Sequence, residues 1–509
     1  MSKTLILAHD IGTTGNKASL YNEFGEVLGS AFYGYETSYP QVGWAEQNPQ
    51  DWWRAVCITS KELLAKTKVS PKEIACVTFS GQMMGCVFLD QKGRVLREAI
   101  IWADMRAEQE AEDLLNKLSM EKVYRTTGHR ISSSYSGAKI MWVKRHEPEV
   151  YRQTYKILNA KDYLVYQLTG QLATDYSDAS GTNVFDLVNK RWSAEIIDAW
   201  GMDADKLPSV YPSTQVIGEV AAHAVEETGL AFGTPVVIGG GDGCCAGVGV
   251  GVVTEGDAFN YIGSSAWIAV ATEKPVFDPE MKTYTWAHLD PDKYSPNGTM
   301  QSAGASYQWV RDQLYSSEYA KAKETGQSIY ELMNEHAAKS MPGANKLLYL
   351  PYLMGERSPR WNPSARATFL GLHMTHTRQD MTRAVMEGVA FNLKIILDTF
   401  LKADIEIDRM WVLGGGAKGK LWRQILADIY EVDISVPCVL EEATSMGAAV
   451  AGGIGIGLLR DFSIAKQWVK HSELIVPSRD NRRIYREMYG AFEEAYHQLL
   501  PIYSRLFKL

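Results

Sequence analysis

With 509 residues, 46% of them hydrophobic, the chain has enough apolar material for two or three packed domains with a cleft between them, which excludes a disordered or fibrous protein. Its 52 basic and 60 acidic side chains give a formal charge of −8, so no overall field draws it to nucleic acid or to an anionic membrane. The six cysteines, Cys57, Cys76, Cys86, Cys244, Cys245 and Cys438, show no CxxC spacing, and no apolar run serves as a signal peptide or a span; the expectation is reduced thiols, no zinc and a cytoplasmic protein.

Thr4–Ala8 reads as a short apolar strand, Asp10-Ile-Gly-Thr-Thr-Gly15 as a turn and Lys17–Tyr21 as the strand returning, a β-hairpin signal. The turn offers backbone N–H groups and hydroxyls at Gly12, Thr13 and Thr14 that suit phosphate oxygens, and Asp10 at the strand end suits a magnesium ion held through its waters. A purely structural glycine turn fits the same residues. Pro49 marks the start of an amphipathic helix over Asp51–Lys66, and Ala75–Phe79 is a buried strand followed by the loop Ser80-Gly-Gln-Met-Met-Gly85. Within that loop Gln82 carries an amide that both donates and accepts, as a polyol site requires, and as a polar turn residue also does. Asp104 and Arg106 follow another apolar run and either face the same cleft or pair with each other.

Near the middle, Val236–Gly251 is a β-branched run that ends in three glycines and Asp242, the pattern of a buried strand delivering one acid into a tight turn. Such an acid serves as a general base or merely caps the small-residue helix after it. The decisive pattern is a recurrence: Ala258-Phe-Asn-Tyr-Ile-Gly-Ser-Ser-Ala-Trp267 again runs strand, glycine, two hydroxyls, strand, and opens the second half as Asp10–Gly15 opens the first. Two halves that each begin with a hydroxyl-bearing hairpin predict an internal duplication gripping nucleotide phosphates, the arrangement of actin- and hexokinase-like ATPases.

Further on, Asp380–Leu401 has a helical apolar face, Met410–Leu413 is a strand, and Gly414–Lys420 turns into a helix over Leu421–Tyr430. Gly414, Gly416 and Gly419 match GxGxxG but lie too late in the chain for a dinucleotide fingerprint, and Leu421 stands where a P-loop needs Ser or Thr. Glu441–Ala451 starts a helix of small residues suited to packing under that turn, and Asn481–Leu509 reads as a terminal helix interrupted by Pro501. Asn297-Gly-Thr299 matches a glycosylation acceptor only formally.

Taken together these stretches resemble the FGGY family of carbohydrate kinases, and within it the xylulose kinases. Asp10-Ile-Gly-Thr-Thr-Gly-Asn-Lys17 is similar to the family's opening phosphate hairpin, with Gly15 where many members have Ser and Lys17 where many have Arg. Ser134–His146, with Lys139 and Trp142, fits the first family signature, and Ala367–Leu372 with Asp380, Met381, Ala384 and Glu387 fits the second.

The resemblance implies two α/β domains of the actin-like ATPase type (ribonuclease H-like, sugar kinase/hexokinase type), about 1–252 and 253–509, with ATP, Mg²⁺ and a sugar meeting in the cleft. By the same resemblance Asp242 is the general base; Gln82, Met83, Met84 and Asp104 bind the acceptor with it; Gly12, Thr13, Thr14, Lys17, Gly263, Ser264 and Ser265 hold phosphates; Gly304, Gly415, Gly416 and Ala417 line the adenosine pocket; and Asp10 holds the metal. The partners implied are a small sugar and ATP, with a homodimer as the family pattern. At the sugar site Met83-Met84 replaces the usual Met-His pair and Gly243 the usual Asn after the base, so D-xylulose stands beside ribulose, an aldonate or a polyol as acceptor. Outside this class stand an interaction protein on the same fold and a dinucleotide-dependent oxidoreductase.

Overall fold

A computed structural model describes residues 4–326, 328–438 and 442–508. In the first half, strands β1 (Leu5–Ile11), β2 (Gly15–Tyr21), β3 (Val27–Gly34), β4 (Ile74–Gly81), β5 (Val216–Glu219) and β6 (Pro235–Val237) form one sheet in the order β5-β6-β4-β1-β2-β3, and the short β7 (Gly240–Gly241) also pairs with β4. The second half repeats the plan with β8 (Ala258–Ile262), β9 (Ala266–Val270), β10 (Tyr284–Ala287), β11 (Tyr294–Met300), β12 (Arg409–Leu413), β13 (Asp433–Pro437) and β14 (His471–Ile475), in the order β10-β11-β9-β8-β12-β13-β14.

The duplication is visible in strand direction as well as order. From β3 to β5 the pairings run antiparallel, antiparallel, parallel, parallel, antiparallel, and from β11 to β14 they run the same way. Strand ends of the parallel core strands are where open α/β sheets gather their ligands. In the first sheet Asp10 sits opposite Ser80, and Ser80 opposite Gly240, so the ends of β1, β4 and β7 fall in one row.

The helices form where the spacing predicts, with ends that differ by a few residues. α1 (Pro49–Thr67) begins two residues before Asp51 because Asn48 caps it, its side chain accepting from the Gln50 N–H, and Pro49 needs no intrahelical donor at that place. The long α-helix Arg378–Leu401 starts with a capping box between Thr377 and Asp380 and is buried over most of its length, as its apolar face requires. Pro501 does not interrupt the last helix, which runs unbroken over Arg482–Phe507. Pro501 and His497, whose carbonyl loses its partner, are both exposed, so water takes the vacated bond.

The small-residue helix occupies Ala443–Gly455, while Glu441, placed at its start by the sequence pattern, lies outside the described residues. It packs chiefly on the first half of the molecule, against the helix Asp242–Gly249 and strands β1 and β4, rather than under the glycine turn. A Cβ on Gly447 would stand 1.9 Å from the Cys245 carbonyl oxygen, one on Gly249 would stand 1.8 Å from that of Ala443, and one on Gly452 would stand 2.9 Å from Thr78. Glycine lets this helix and the helix Asp242–Gly249 touch backbone to backbone, so the two halves are joined directly beneath the row of strand ends.

Candidate active site

Asp242 is the first residue of the helix Asp242–Gly249, reached from β6 through Gly239, Gly240 and Gly241. Each glycine here is forced. Gly239 has φ +69° and no room for a Cβ, which would fall 1.9 Å from the Phe79 carbonyl oxygen; Cβ atoms on Gly240 and Gly241 would meet Leu289 at 2.2 Å and Met83 at 2.5 Å. The turn is therefore pressed against β4 and the loop after it, and the acid leaves it in a set direction.

The Asp242 carboxylate accepts from the Gly243 N–H at 2.7 Å, a normal use of an acid on the first helical turn. Burial and the neighbouring Asp10 charge nevertheless push its pKa up to about 7. Asp10, at the end of β1, is also raised by burial, against which hydrogen bonds and Lys17 act; its Oδ2 accepts from Thr444 Oγ1 at 2.6 Å. Asp10 thus opposes the ionisation of Asp242, and two neighbouring carboxylates of this kind offer the oxygen ligands that suit a hard cation.

The hairpin turn between β1 and β2 is held by its carbonyls. Those of Gly12, Thr13 and Thr14 accept from Tyr35 Oη at 2.6 Å, Gln47 Nε2 at 2.7 Å and the Tyr35 N–H at 3.2 Å. The Gly12 N–H closes the turn on the Gly15 carbonyl at 3.0 Å, and Thr14 at the tip is exposed. Thr13 Oγ1 accepts from Trp102 Nε1 at 2.9 Å, and Lys17 forms an ion pair with Glu442 at 2.7 Å. Gly15 is overlaid by the Phe32 ring, 2.5 Å from where a Cβ would be.

On the acceptor side, Gln82 donates to Gln47 Oε1 at 2.8 Å while its own Oε1 is buried without a hydrogen bond. Met83 is buried against Gly241, and Met84 adopts φ +63°, its carbonyl accepting from Lys139 Nζ at 2.9 Å. The signature lysine Lys139 also donates to the Ile101 and Ser134 carbonyls at 2.7 and 2.6 Å, so it ties the Met84 loop in place. Met83, Met84, Tyr135, Trp286 and Trp361 share one apolar cluster with Cys244. Gly243 has open space around its Cβ position.

Asp104 is a correction. It is fully buried, pairs with Arg106 at 2.7 Å and accepts the Ala45 N–H at 2.6 Å, so its oxygens are consumed and it does not face an acceptor. Arg106 lies 3.6 Å over the Trp44 ring and also pairs with Glu46. The pairing of Asp104 with Arg106, one of the two arrangements open from the sequence, is the one formed.

Around the second hairpin the glycine loops converge. Gly304 and Gly414 would place a Cβ 2.2 Å from the Gly263 carbonyl oxygen and 2.5 Å from that of Ile262, and Gly416 would place one 2.5 Å from the Ile262 side chain. The loops enclose a cavity of about 420 Å³ lined by Gly263, Ser264, Gly304, Gly415 and Gly416, with Tyr307, Tyr330, Asn334 and Trp422 as walls. Ser265 lies beside it in the hairpin turn, its carbonyl accepting the Gly263 N–H, and Ala417 belongs to the short 3₁₀ turn Gly415–Lys418. A larger hollow of about 780 Å³, near Glu255 and Phe277, shares none of these loops. Sequence reasoning missed Gln47, Trp102, Thr444 and Asn334, which carry no local motif and reach their partners from distant segments.

The N-terminal domain model of the FGGY family of carbohydrate kinases matches residues 5–249, and its C-terminal domain model matches residues 258–456. The chain belongs to the FGGY family of carbohydrate kinases. As an FGGY kinase it is an ATP-dependent phosphotransferase acting on a carbohydrate. It is similar to a xylulose kinase of Staphylococcus epidermidis, 32% identical over 501 residues that cover 98% of this chain and 97% of that one. It is as similar to a gluconokinase of Bacillus subtilis, 31% identical over 489 residues covering 96% and 94%. Its fold follows that of a ligand-bound xylulose kinase from Lactobacillus acidophilus with a TM-score of 0.92 at 27% identity, covering 99% of both chains. No described helix of this FGGY kinase is long and apolar enough to cross a membrane.

Proposed function

We propose that the acceptor is an open-chain ketopentose, D-xylulose first, and that Asp242 takes the proton from its terminal hydroxyl. The freed oxygen attacks the γ-phosphorus of ATP, the bond from that phosphorus to the β-bridging oxygen breaks, and ADP and the sugar 5-phosphate leave. The observation that carries this is the placement of Asp242: a half-buried acid poised near neutrality, in the same row of strand ends as the phosphate hairpin. Phosphoryl transfer asks mainly for positioning and charge neutralisation, which this scaffold supplies.

In this reading Gly12, Thr13, Thr14 and Lys17 from the first hairpin, with Gly263, Ser264 and Ser265 from the second, hold the phosphates. Gly304, Gly415, Gly416 and Ala417 bound the adenosine cavity, and the Gln82-Met83-Met84 loop meets the sugar. Asp10, with Asp242 near it, fits the donor set of a magnesium ion, whose contribution when bound is to neutralise phosphate charge.

A second reading, transfer to an aldonate such as D-gluconate, is favoured by the equal similarity to gluconokinase and by the absence of polar side chains at Met84 and Gly243. A coupled ADP-release assay over D-xylulose, D-ribulose, D-gluconate and pentitols decides between them. The first reading expects the highest kcat/KM with D-xylulose; a higher value with D-gluconate replaces it.

A further inference from the structure

Behind Asp242 lies a charged cluster with no access to solvent. Lys161, on the helix Ala160–Thr169, places Nζ 2.6 Å from Asp162, 2.9 Å from Asp175 and 3.1 Å from Asp178, and all four side chains are 0% exposed. Asp175 Oδ2 accepts from the Ser177 N–H at 2.8 Å, from Ser177 Oγ at 2.5 Å and from Ser213 Oγ at 2.7 Å. Ser177 Oγ in turn accepts from the Gly241 N–H at 2.9 Å.

Hydrogen-bond chemistry fixes the direction of this chain. The Gly241 N–H can only donate, so the Ser177 oxygen accepts there and sends its own proton to Asp175. Lys161 Nζ, 2.9 Å away, offsets the burial of the Asp175 carboxylate, whose other oxygen gathers the two serine hydroxyls. The cluster also presses on the paired strand: a Cβ on Gly81 would meet the Lys161 Cβ at 2.9 Å, and Gly81 is the register partner of Gly241.

We infer that Ser177 is a positioning residue for the transfer reaction: anchored through Asp175 on buried Lys161, its hydroxyl holds the Gly241 N–H and so sets the direction in which Asp242 leaves the strand. This rests on the reading of Asp242 as the base. The residue whose N–H it holds is buried, so loss of the Ser177 acceptor leaves a buried donor to be satisfied by a shift of the backbone next to the base. A displacement of about 1 Å at a reacting group lowers rates by about a hundredfold, whereas the ATP cavity, built from the second half, is untouched.

The test compares Ser177→Ala with Ser213→Ala, which removes the other hydroxyl from the same Asp175 oxygen without touching Gly241. Ser177→Ala is expected to lower kcat about ten- to a hundredfold with the KM for ATP within about twofold of wild type, while Ser213→Ala keeps near wild-type kcat. Unchanged kcat in Ser177→Ala, an equal loss in Ser213→Ala, or a loss confined to KM overturns the inference. If Ser177→Ala does not fold, Ser177→Cys is read in its place, since a thiol of similar shape is a poor acceptor, and the same outcomes apply. Asp242→Asn separates the two claims: if it is inactive while Ser177→Ala is normal, only the positioning role falls; if it turns over normally, the base assignment falls first.

Discussion

Acceptor choice is the property that the two substitutions Met84→His and Gly243→Asn address together. Both restore polar side chains beside the base, and the backbone favours each change. Met84 sits at φ +63°, a conformation that His adopts more readily than Met, and the Cβ position of Gly243 has nothing within 4 Å, so Asn enters open space. A hydrogen bond to a substrate hydroxyl contributes about 0.5 to 1.5 kcal/mol, so two of them give about 1 to 3 kcal/mol. At about 1.4 kcal/mol per tenfold, kcat/KM for D-xylulose should rise roughly 5- to 150-fold relative to that for the best other acceptor. The assay is the ratio of the two kcat/KM values by coupled ADP release, in wild type, single and double variants. A ratio that stays within about twofold of wild type, in a folded double variant that binds ATP, refutes the reasoning that these two positions set acceptor choice.

Asp104→Ala should lower stability by about 1 to 3 kcal/mol, because it leaves the Ala45 N–H without its acceptor and Arg106 with Glu46 as its remaining ion-pair partner, and denaturant unfolding should show this while the KM for the acceptor in surviving folded enzyme stays near wild type. Since burial and Asp10 hold Asp242 near pH 7 and the base must be unprotonated, kcat/KM should fall about tenfold per pH unit below 7 and level off above it; a limb near pH 4 would remove the cause assigned to the shift. Asp10→Ala should raise the magnesium concentration needed for half-maximal rate while leaving acceptor binding close to wild type, measured by metal titration of turnover and by acceptor KM.

The framework was legible because it is written locally. Apolar runs ended by glycine turns mark both hairpins, and the repeat of Asp10–Gly15 in Ile262–Ser265 announces a duplication that the matching strand directions of the two sheets display. The acid at Asp242 was legible for the same reason. Illegible were partners set by tertiary approach: nothing near Asp10 names Thr444, nothing near Thr13 names Gln47 or Trp102, and nothing near Gly241 names Ser177. Asp104 misled because an acid after an apolar run looks the same whether it faces a ligand or an arginine two residues on. Pro501 misled because a helix tolerates proline where the abandoned carbonyl meets water.

One variant tests the account at its centre. Asp242→Asn keeps the shape of the side chain and removes the proton acceptor, so turnover should fall about 100- to 10,000-fold while ATP binding, read by calorimetry, stays within a few-fold of wild type. Removal of a carboxyl whose folded pKa is raised also removes a destabilising charge: between pH 4 and 7 the native state holds a proton that the unfolded chain has lost, so wild-type stability falls across that window. The variant should therefore unfold at a higher temperature than wild type at pH 8 and at a similar one near pH 4. Turnover of Asp242→Asn within about tenfold of wild type, in protein that binds ATP normally, would contradict the account.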